Sequence, residues 1–304
     1  MQPRMGVIDL GTNTFHLLIA EPTEQGSAFR EVYRERQFIK LAEAGIERIS
    51  AAAFERGLQA LKIFRQQLDK HGVTQVQAIG TAALRTASNG QDFIQRVKMF
   101  TDLDITLIDG NREAELIYKG VAQVVPFDAA PVLIMDIGGG SVEFIIANEQ
   151  QLFWKCSFPV GVAILYKQFH RHEPILPSEI AALHHFLTEA LLPLAEALAT
   201  HTITRLVGAS GTFDVLENML VHDKMQPHYA CFPANALNRV YKKIVGATAI
   251  ERFHMPGVPP ERADMIVVAL LLIEHVLCMA PIKQIDISAF ALKEGVLAEM
   301  LYEK

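Results

Sequence analysis

The segment 6–20, GVIDLGTNTFHLLIA, is echoed at 133–147 by LIMDIGGGSVEFIIA, and nothing else in the chain constrains its fold as tightly. In each copy an apolar run ends in an aspartate, Asp9 or Asp136, and turns through a loop opened by Gly11 or Gly138. A hydroxyl residue follows, Thr14 or Ser141, and a second apolar run completes the unit. Each copy reads as a β-hairpin, with glycine and asparagine supplying positive φ at the turn. Glycine also lets a phosphate approach backbone N–H groups closely, and the aspartate stands where a carboxylate can hold a cation beside it. Two such units point to two related domains gripping one phosphate-rich ligand.

A chain of 304 residues, half of them hydrophobic, has material for two buried cores. Cys156, Cys231 and Cys278 are odd in number, far apart and form no CxxC pair, which argues against a disulfide framework or zinc site and for a reducing compartment. The opening MQPRMGVIDL lacks the apolar core of a signal peptide. The most apolar stretch, 266–280, is interrupted by Glu274 and His275 and falls short of the ~20 residues of a membrane span. The expectation is a cytoplasmic protein with no membrane partner. A net charge of −6 leaves no broad basic surface for nucleic acid, so a polyanion must be met by local cations.

Strand-like and helical stretches alternate along both halves, which predicts an α/β layer architecture. The first half carries a third strand at 28–36, a helix at 50–70, a strand at 76–80, helical stretches at 82–89 and 91–100, a strand at 105–108 and a helix at 111–124. Prolines bracket 126–131, and the hairpin restarts directly afterwards, so the boundary is placed there. The second half has a third strand at 151–157, helices from 162 and 178, and a strand at 205–207 opening into Gly208-Ala209-Ser210-Gly211-Thr212. Long helices at 235–250 and 260–279, a strand at 284–287 and a closing helix at 290–302 complete the pattern.

The glycine loops carry the phosphate-binding reading: Gly11, Thr12, Asn13 and Thr14 in one hairpin, and Gly138, Gly139, Gly140 and Ser141 in the other. A DxG turn alone is common; two copies with matching hydroxyls are not. The turn holding Gly208, Ser210, Gly211 and Thr212 joins a strand to a helix, whose N-terminus can take an anion. Glu143, inside the apolar SVEFII run, is either a solvent-facing edge residue or a metal ligand beside Asp136, the sparse carboxylate set Mg²⁺ uses with phosphate and water oxygens. Glu113 is either a dipole-favoured acid at a helix start or a general base. Arg85 and Lys40, with Arg34 and Arg36, are the cations best placed for a polyanion. The pairs His170/His172 and His184/His185 lack accompanying carboxylates in a metal pattern and read as surface histidines.

In order, the motifs DLGTNTFHLLI, GTAALRTASN, DGNREAELIYKGV, MDIGGGSVEF and GASGT resemble the exopolyphosphatase and guanosine pentaphosphate phosphohydrolase family, a likeness that extends through the closing ISAFALKEGVL. The resemblance implies an α/β fold of two ribonuclease-H-like domains of the actin-like, sugar-kinase superfamily, with an interdomain active-site cleft; because the phosphate loops come from opposite halves of the chain, the two domains are expected to close over the ligand. With the boundary at the prolines the domains are 1–125 and 126–289, the second with added helices, and the resemblance has 290–304 pack back on the first domain. It implies that Glu113 activates the attacking water and that Asp136, Glu143 and the 138–141 loop handle metal and phosphate; the reading of the residues adds Asp9 near the Mg²⁺, and the 11–14 loop, the 208–212 turn and Arg85 on the phosphates. Departures from the family pattern are Val142 for a threonine, and His16 and Lys40 for arginines. Longer members add a helical portion, so the likeness covers the catalytic core.

The expectation is therefore a Mg²⁺-dependent exopolyphosphatase acting on inorganic polyphosphate. The near alternative is hydrolysis of guanosine pentaphosphate. Rivals of another class are a superfamily kinase, with adenosine near Gly208 and Thr212, and a non-catalytic nucleotide-binding protein. Homodimerisation is common in the family, but no residue pattern here demands it.

Overall fold

The apolar runs around Asp9 form β1 (Met5–Leu10) and β2 (Thr14–Pro22), paired antiparallel with Asp9 opposite His16. The computed structural model describes residues 3–23, 29–224 and 226–302. The chain divides into two units, Met1–Gly120 with Leu292–Lys304, and Val121–Ala291.

In the first unit, β3 (Phe29–Phe38) pairs with β2; the expected start at Ala28 lies outside the described residues. Helix α1 (Ala51–Lys70) begins at Ser50, whose hydroxyl accepts the Ala53 amide at 3.1 Å. Its stripe of Leu58, Leu61, Phe64 and Leu68 is buried. Then come β4 (Gln75–Gly80), α2 (Ala82–Thr86), α3 (Gly90–Thr101), β5 (Ile105–Leu107) and α4 (Gly110–Val121). The sheet runs β3-β2-β1-β4-β5, with β4 parallel to β1 and β5 parallel to β4. Alternation sends Ile8, Leu10, Phe15, Leu17 and Ile19 into the core shared with α1. Asp9 and His16 therefore point to the opposite face.

The second unit repeats the hairpin as β6 (Val132–Ile137) and β7 (Val142–Ala147), followed by β8 (Leu152–Phe158). Its helices are α5 (Val162–Phe169), α6 (Pro177–Ala190) and α7 (Leu192–Ala199); then come β9 (Arg205–Ala209), α8 (Gly211–Leu220), β10 (Tyr229–Pro233), α9 (Leu237–Val245), α10 (Ala249–Phe253), α11 (Ile266–Leu277) and β11 (Gln284–Ser288). The strand order is β10-β11-β9-β6-β7-β8. Every residue of β6 and β7 is buried, as expected of strands covered on both faces.

Two expected helices are broken. The 235–250 helix ends before Gly246, and a new one starts where Thr248 and Glu251 form a reciprocal cap. The 260–279 helix begins at Ile266, after a 3₁₀ turn, Pro260–Arg262. Strand β10, antiparallel to β11, was not expected. Helix α11 is buried along Ile266 to Ile273, and no helix among the described residues is long and apolar enough to cross a membrane.

The last helix, α12 (Leu292–Tyr302), belongs to the first unit and packs against β1 and β2. At Gly295 its backbone lies so close to α4 that a Cβ would fall 1.8 Å from the Leu116 carbonyl oxygen. Glu299 adds ion pairs to Arg112 and to Lys119, the latter at 2.7 Å.

Candidate active site

Strand register places a three-residue ladder at the same point of each hairpin. In the second unit Asp136 faces Glu143 across β6 and β7, and Glu143 faces Ser157 across β7 and β8. In the first, Asp9 faces His16, and His16 faces Arg36. Directly opposed residues share a face, with Cβ atoms roughly 4.5–5.5 Å apart. Asp136 is 7 % exposed and Glu143 2 %, so Glu143 is no edge residue. The Ser157 hydroxyl donates to Glu143 Oε1 at 2.6 Å. Burial, with the Glu143 charge adding to it, pushes the neighbouring Cys156 thiol up, so that sulfur stays protonated.

The loops between these strands are built alike. Gly11 N–H donates to the Thr14 carbonyl and Gly138 N–H to the Ser141 carbonyl, closing each turn. The loop carbonyls are tied away. Thr12 O takes the Leu41 amide, and Asn13 O takes those of Ile39 and Lys40. Gly138 O and Gly139 O take the amides of Val162 and Ala163 at the start of α5. With their carbonyls committed to one side, the loops can offer amides to an anion. The positive-φ reading of these turns is corrected: among the described residues neither loop has a left-handed backbone. Glycine is needed because a Cβ on Gly11 would meet Thr14 O at 2.9 Å, and one on Gly138 would meet Ser141 O at 2.8 Å.

A second loop stands beside each of these, at the carboxyl end of the neighbouring parallel strand, the usual ligand position in α/β sheets. After β9, Ser210 Oγ donates to Ile137 O at 2.9 Å. After β4, Thr81 Oγ1 approaches Leu10 O at 3.4 Å. Leu10 and Ile137 each immediately precede a loop glycine, so the two units use the same tie. Ser210 has φ 70° and ψ −179°, a region nearly reserved for glycine. Gly208 is bare because the Phe213 ring packs on it, with a Cβ position 2.0 Å from that ring. Gly211 is bare because the Arg262 guanidinium covers it, with Nη1 1.7 Å from its Cβ position. Thr212 is buried in the first turn of α8. Arg262 therefore brings a cation to the head of α8, and no sequence signal tied it to GASGT.

Glu113 lies in the first turn of α4, whose Asp109 side chain accepts the Arg112 amide at 2.8 Å. It is 7 % exposed, so its carboxylate is largely withdrawn from solvent, while its first-turn position is also the one the helix dipole favours for an acid. Arg85 Nη1, which donates to the Ile108 carbonyl, lies 3.8 Å from Glu113 Oε2. The structure thus brings together Arg85 and Glu113 in one unit, and Asp136, Glu143, the 138–141 loop and the 210–212 turn in the other.

Other expectations are corrected. Arg34 pairs with Glu31 and with fully buried Glu294 at 3.1 Å, so it is committed to α12 rather than to a ligand path. His184 is not a lone surface residue: packing of α6 on α11 sets its Nδ1 3.1 Å from His275 Nδ1 and its Nε2 3.2 Å from Glu274. His170 is buried, edge-on to Tyr166 and 3.3 Å from Glu173.

The fit to Mg²⁺ rests on Asp136 and Glu143. Two buried carboxylates on one face repel each other, and a hard cation relieves that repulsion through oxygen donors. Among the described residues no group of three or more His, Cys, Asp or Glu is placed to hold a metal. Substrate and water oxygens would complete the shell, as Mg²⁺ sites commonly require.

Comparison with known proteins agrees with this architecture. The model of the Ppx/GppA phosphatase family matches residues 18–304. An exopolyphosphatase from Cytophaga hutchinsonii ATCC 33406 is 42 % identical, covers 98 % of this chain and 97 % of its own, and superposes with a TM-score of 0.94. A Ppx/GppA family protein from Aquifex aeolicus, 23 % identical over 99 % of this chain and 98 % of its own, shares the fold at a TM-score of 0.81. These are two-domain actin-like structures, and that is the fold class of this chain. With the family match reaching from the first hairpin to the last residue, this chain belongs to the Ppx/GppA phosphatase family and is a phosphohydrolase.

Proposed function

We propose that this phosphohydrolase is a Mg²⁺-dependent exopolyphosphatase that removes the terminal phosphoryl group of inorganic polyphosphate. The observation that carries the reading is the buried pair Asp136 and Glu143 beside the 138–141 loop, whose carbonyls are tied back onto α5. Asp136 and Glu143 would hold Mg²⁺, which when bound would supply charge neutralisation at the phosphoryl oxygens. Asp9 holds the matching place in the first hairpin and would be a further oxygen donor. Amides of Gly11, Thr12, Asn13 and Thr14, and of Gly138, Gly139, Gly140 and Ser141, receive phosphate oxygens, as do those at Ser210, Gly211 and Thr212. Glu113 orients the attacking water and accepts its proton. Arg85, beside it, meets the charge of the chain behind the terminal phosphate.

Polyphosphate is favoured over guanosine pentaphosphate because the recognition groups offered are amides and cations suited to repeated phosphates. The 42 % identical Cytophaga protein is itself called an exopolyphosphatase. Phosphate release should be measured from polyphosphate, guanosine pentaphosphate and ATP at fixed ionic strength, with and without Mg²⁺. The expected result is Mg²⁺-dependent release with the highest kcat/KM on polyphosphate. A higher kcat/KM on the guanosine nucleotide would reassign the substrate, and phosphoryl transfer from ATP to a small acceptor would indicate a kinase.

A further inference from the structure

We infer that Ser157 is a positioning residue for the cation-binding carboxylate Glu143, an inference that rests on the proposed role of Glu143. Three observations support it. Ser157 is the register partner of Glu143 on β8, just as Asp136 is its partner on β6, so the three side chains stand in one row. Its hydroxyl donates to Glu143 Oε1 at 2.6 Å, a short bond of the kind made to a charged acceptor. Glu143 is 2 % exposed, which leaves bulk water no ready access as a replacement donor.

The physical consequence concerns freedom. A glutamate has three side-chain torsions, and the last, which rotates the carboxylate plane, is broad. A hydroxyl fixed on a neighbouring strand holds one oxygen and so sets that plane. Asp136, opposite, reaches the same space through a shorter arm. A cation shared by the two then meets oxygens already oriented, and less ordering accompanies binding. In the first unit the equivalent ladder position is Arg36, opposite His16, a pairing that offers no second carboxylate to orient. The hydroxyl-to-carboxylate bond thus belongs to the second unit alone among the two ladders.

The test uses the full chain and three variants: Ser157→Ala, Ser157→Thr and Glu143→Gln. Mn²⁺ is the probe, titrated by electron paramagnetic resonance in the presence of inorganic phosphate, alongside the Mg²⁺ dependence of turnover. Loss of an outer-shell partner of a metal ligand weakens affinity roughly 10–100-fold. Ser157→Ala should therefore weaken Mn²⁺ about tenfold and raise half-saturating Mg²⁺ equally, while kcat at saturating Mg²⁺ changes little. Ser157→Thr, which restores the hydroxyl, should recover affinity. Glu143→Gln should remove most Mn²⁺ binding. Unchanged Mn²⁺ affinity in Ser157→Ala, with binding lost in Glu143→Gln, would overturn the role of Ser157 and leave the proposed function standing. Unchanged affinity in Glu143→Gln would overturn both.

Discussion

Arg85 and Glu113 meet inside the first unit, with the guanidinium Nη1 3.8 Å from the carboxylate Oε2 while the same nitrogen donates to the Ile108 carbonyl. The bond to Ile108 fixes the guanidinium between the end of β5 and the first turn of α4. Its charge thus stands beside a carboxylate that is nearly buried. An arginine so placed can steady that carboxylate and still meet a phosphate with its remaining donors. The pair therefore predicts different kinetic signatures for its two members.

Glu113→Gln keeps the volume and removes the proposed base. It should lower kcat at least ~10²-fold with KM nearly unchanged, the scale expected for a lost general base. Arg85→Lys keeps the charge but loses the fork; it should raise KM for polyphosphate and lower kcat less than the glutamine variant does. Steady-state kinetics on one polyphosphate preparation decides both. Near-normal turnover in Glu113→Gln would make Glu113 a structural acid.

Gly295 offers a test of stability. The backbones of α12 and α4 touch there, and an added Cβ would fall 1.8 Å from Leu116 O and 2.7 Å from the carbon of the same carbonyl. Neither atom can rotate away, so one helix must shift. Gly295→Ala should cost about 2 kcal/mol or more, lowering the thermal midpoint by roughly 4–8 °C. Since α4 carries Glu113, kcat should fall as well. An unchanged midpoint would mean that the helices tolerate separation.

Stability should decline on mild acidification. Burial holds the pKa of His170 below its ordinary value, and burial together with His184 does the same for His275. A histidine depressed in the folded state binds its proton more readily when unfolded. Below about pH 6.5, the ordinary histidine value, the unfolded chain therefore takes up more protons, and stability falls with pH. Urea midpoints at pH 7.5 and 5.5 should show the loss, and His170→Gln should make it smaller. A midpoint that rises on acidification would contradict the assignment.

The sequence carried the hairpins plainly, because apolar runs around DxG repeat with matching hydroxyls and each strand keeps its period. Helix α1 was legible for a similar reason: Ser50 caps it and one stripe is apolar. Longer-range relationships were not. Ser157 reaches Glu143 through strand register, and Thr81 reaches Leu10 through a parallel crossover. Arg262 covers Gly211 from a distant 3₁₀ turn, and Arg34 meets Glu294 near the far end of the chain. Local patterns specify which element a residue joins; its partners depend on how the sheet orders its strands. The break at Gly246 was visible only in part, since the helical pattern resumes immediately at the Thr248 cap.

Lys40 separates a backbone role from a side-chain role. Its φ of 51° is left-handed, a conformation costing a residue with a side chain on the order of 1–3 kcal/mol. That turn lets the consecutive amides of Ile39 and Lys40 both donate to Asn13 O, at 2.8 and 3.0 Å, holding the 11–14 loop. Glycine keeps the turn and removes the strain; alanine keeps the strain; both remove the charge. If the ammonium meets polyphosphate, Lys40→Gly and Lys40→Ala should raise KM alike, more for longer chains, and the effect should shrink as added salt screens the interaction. The glycine variant should be the more stable of the two by roughly 1 kcal/mol, readable from thermal unfolding. A wild-type KM in both variants, at every chain length, would confine Lys40 to shaping the loop through its backbone.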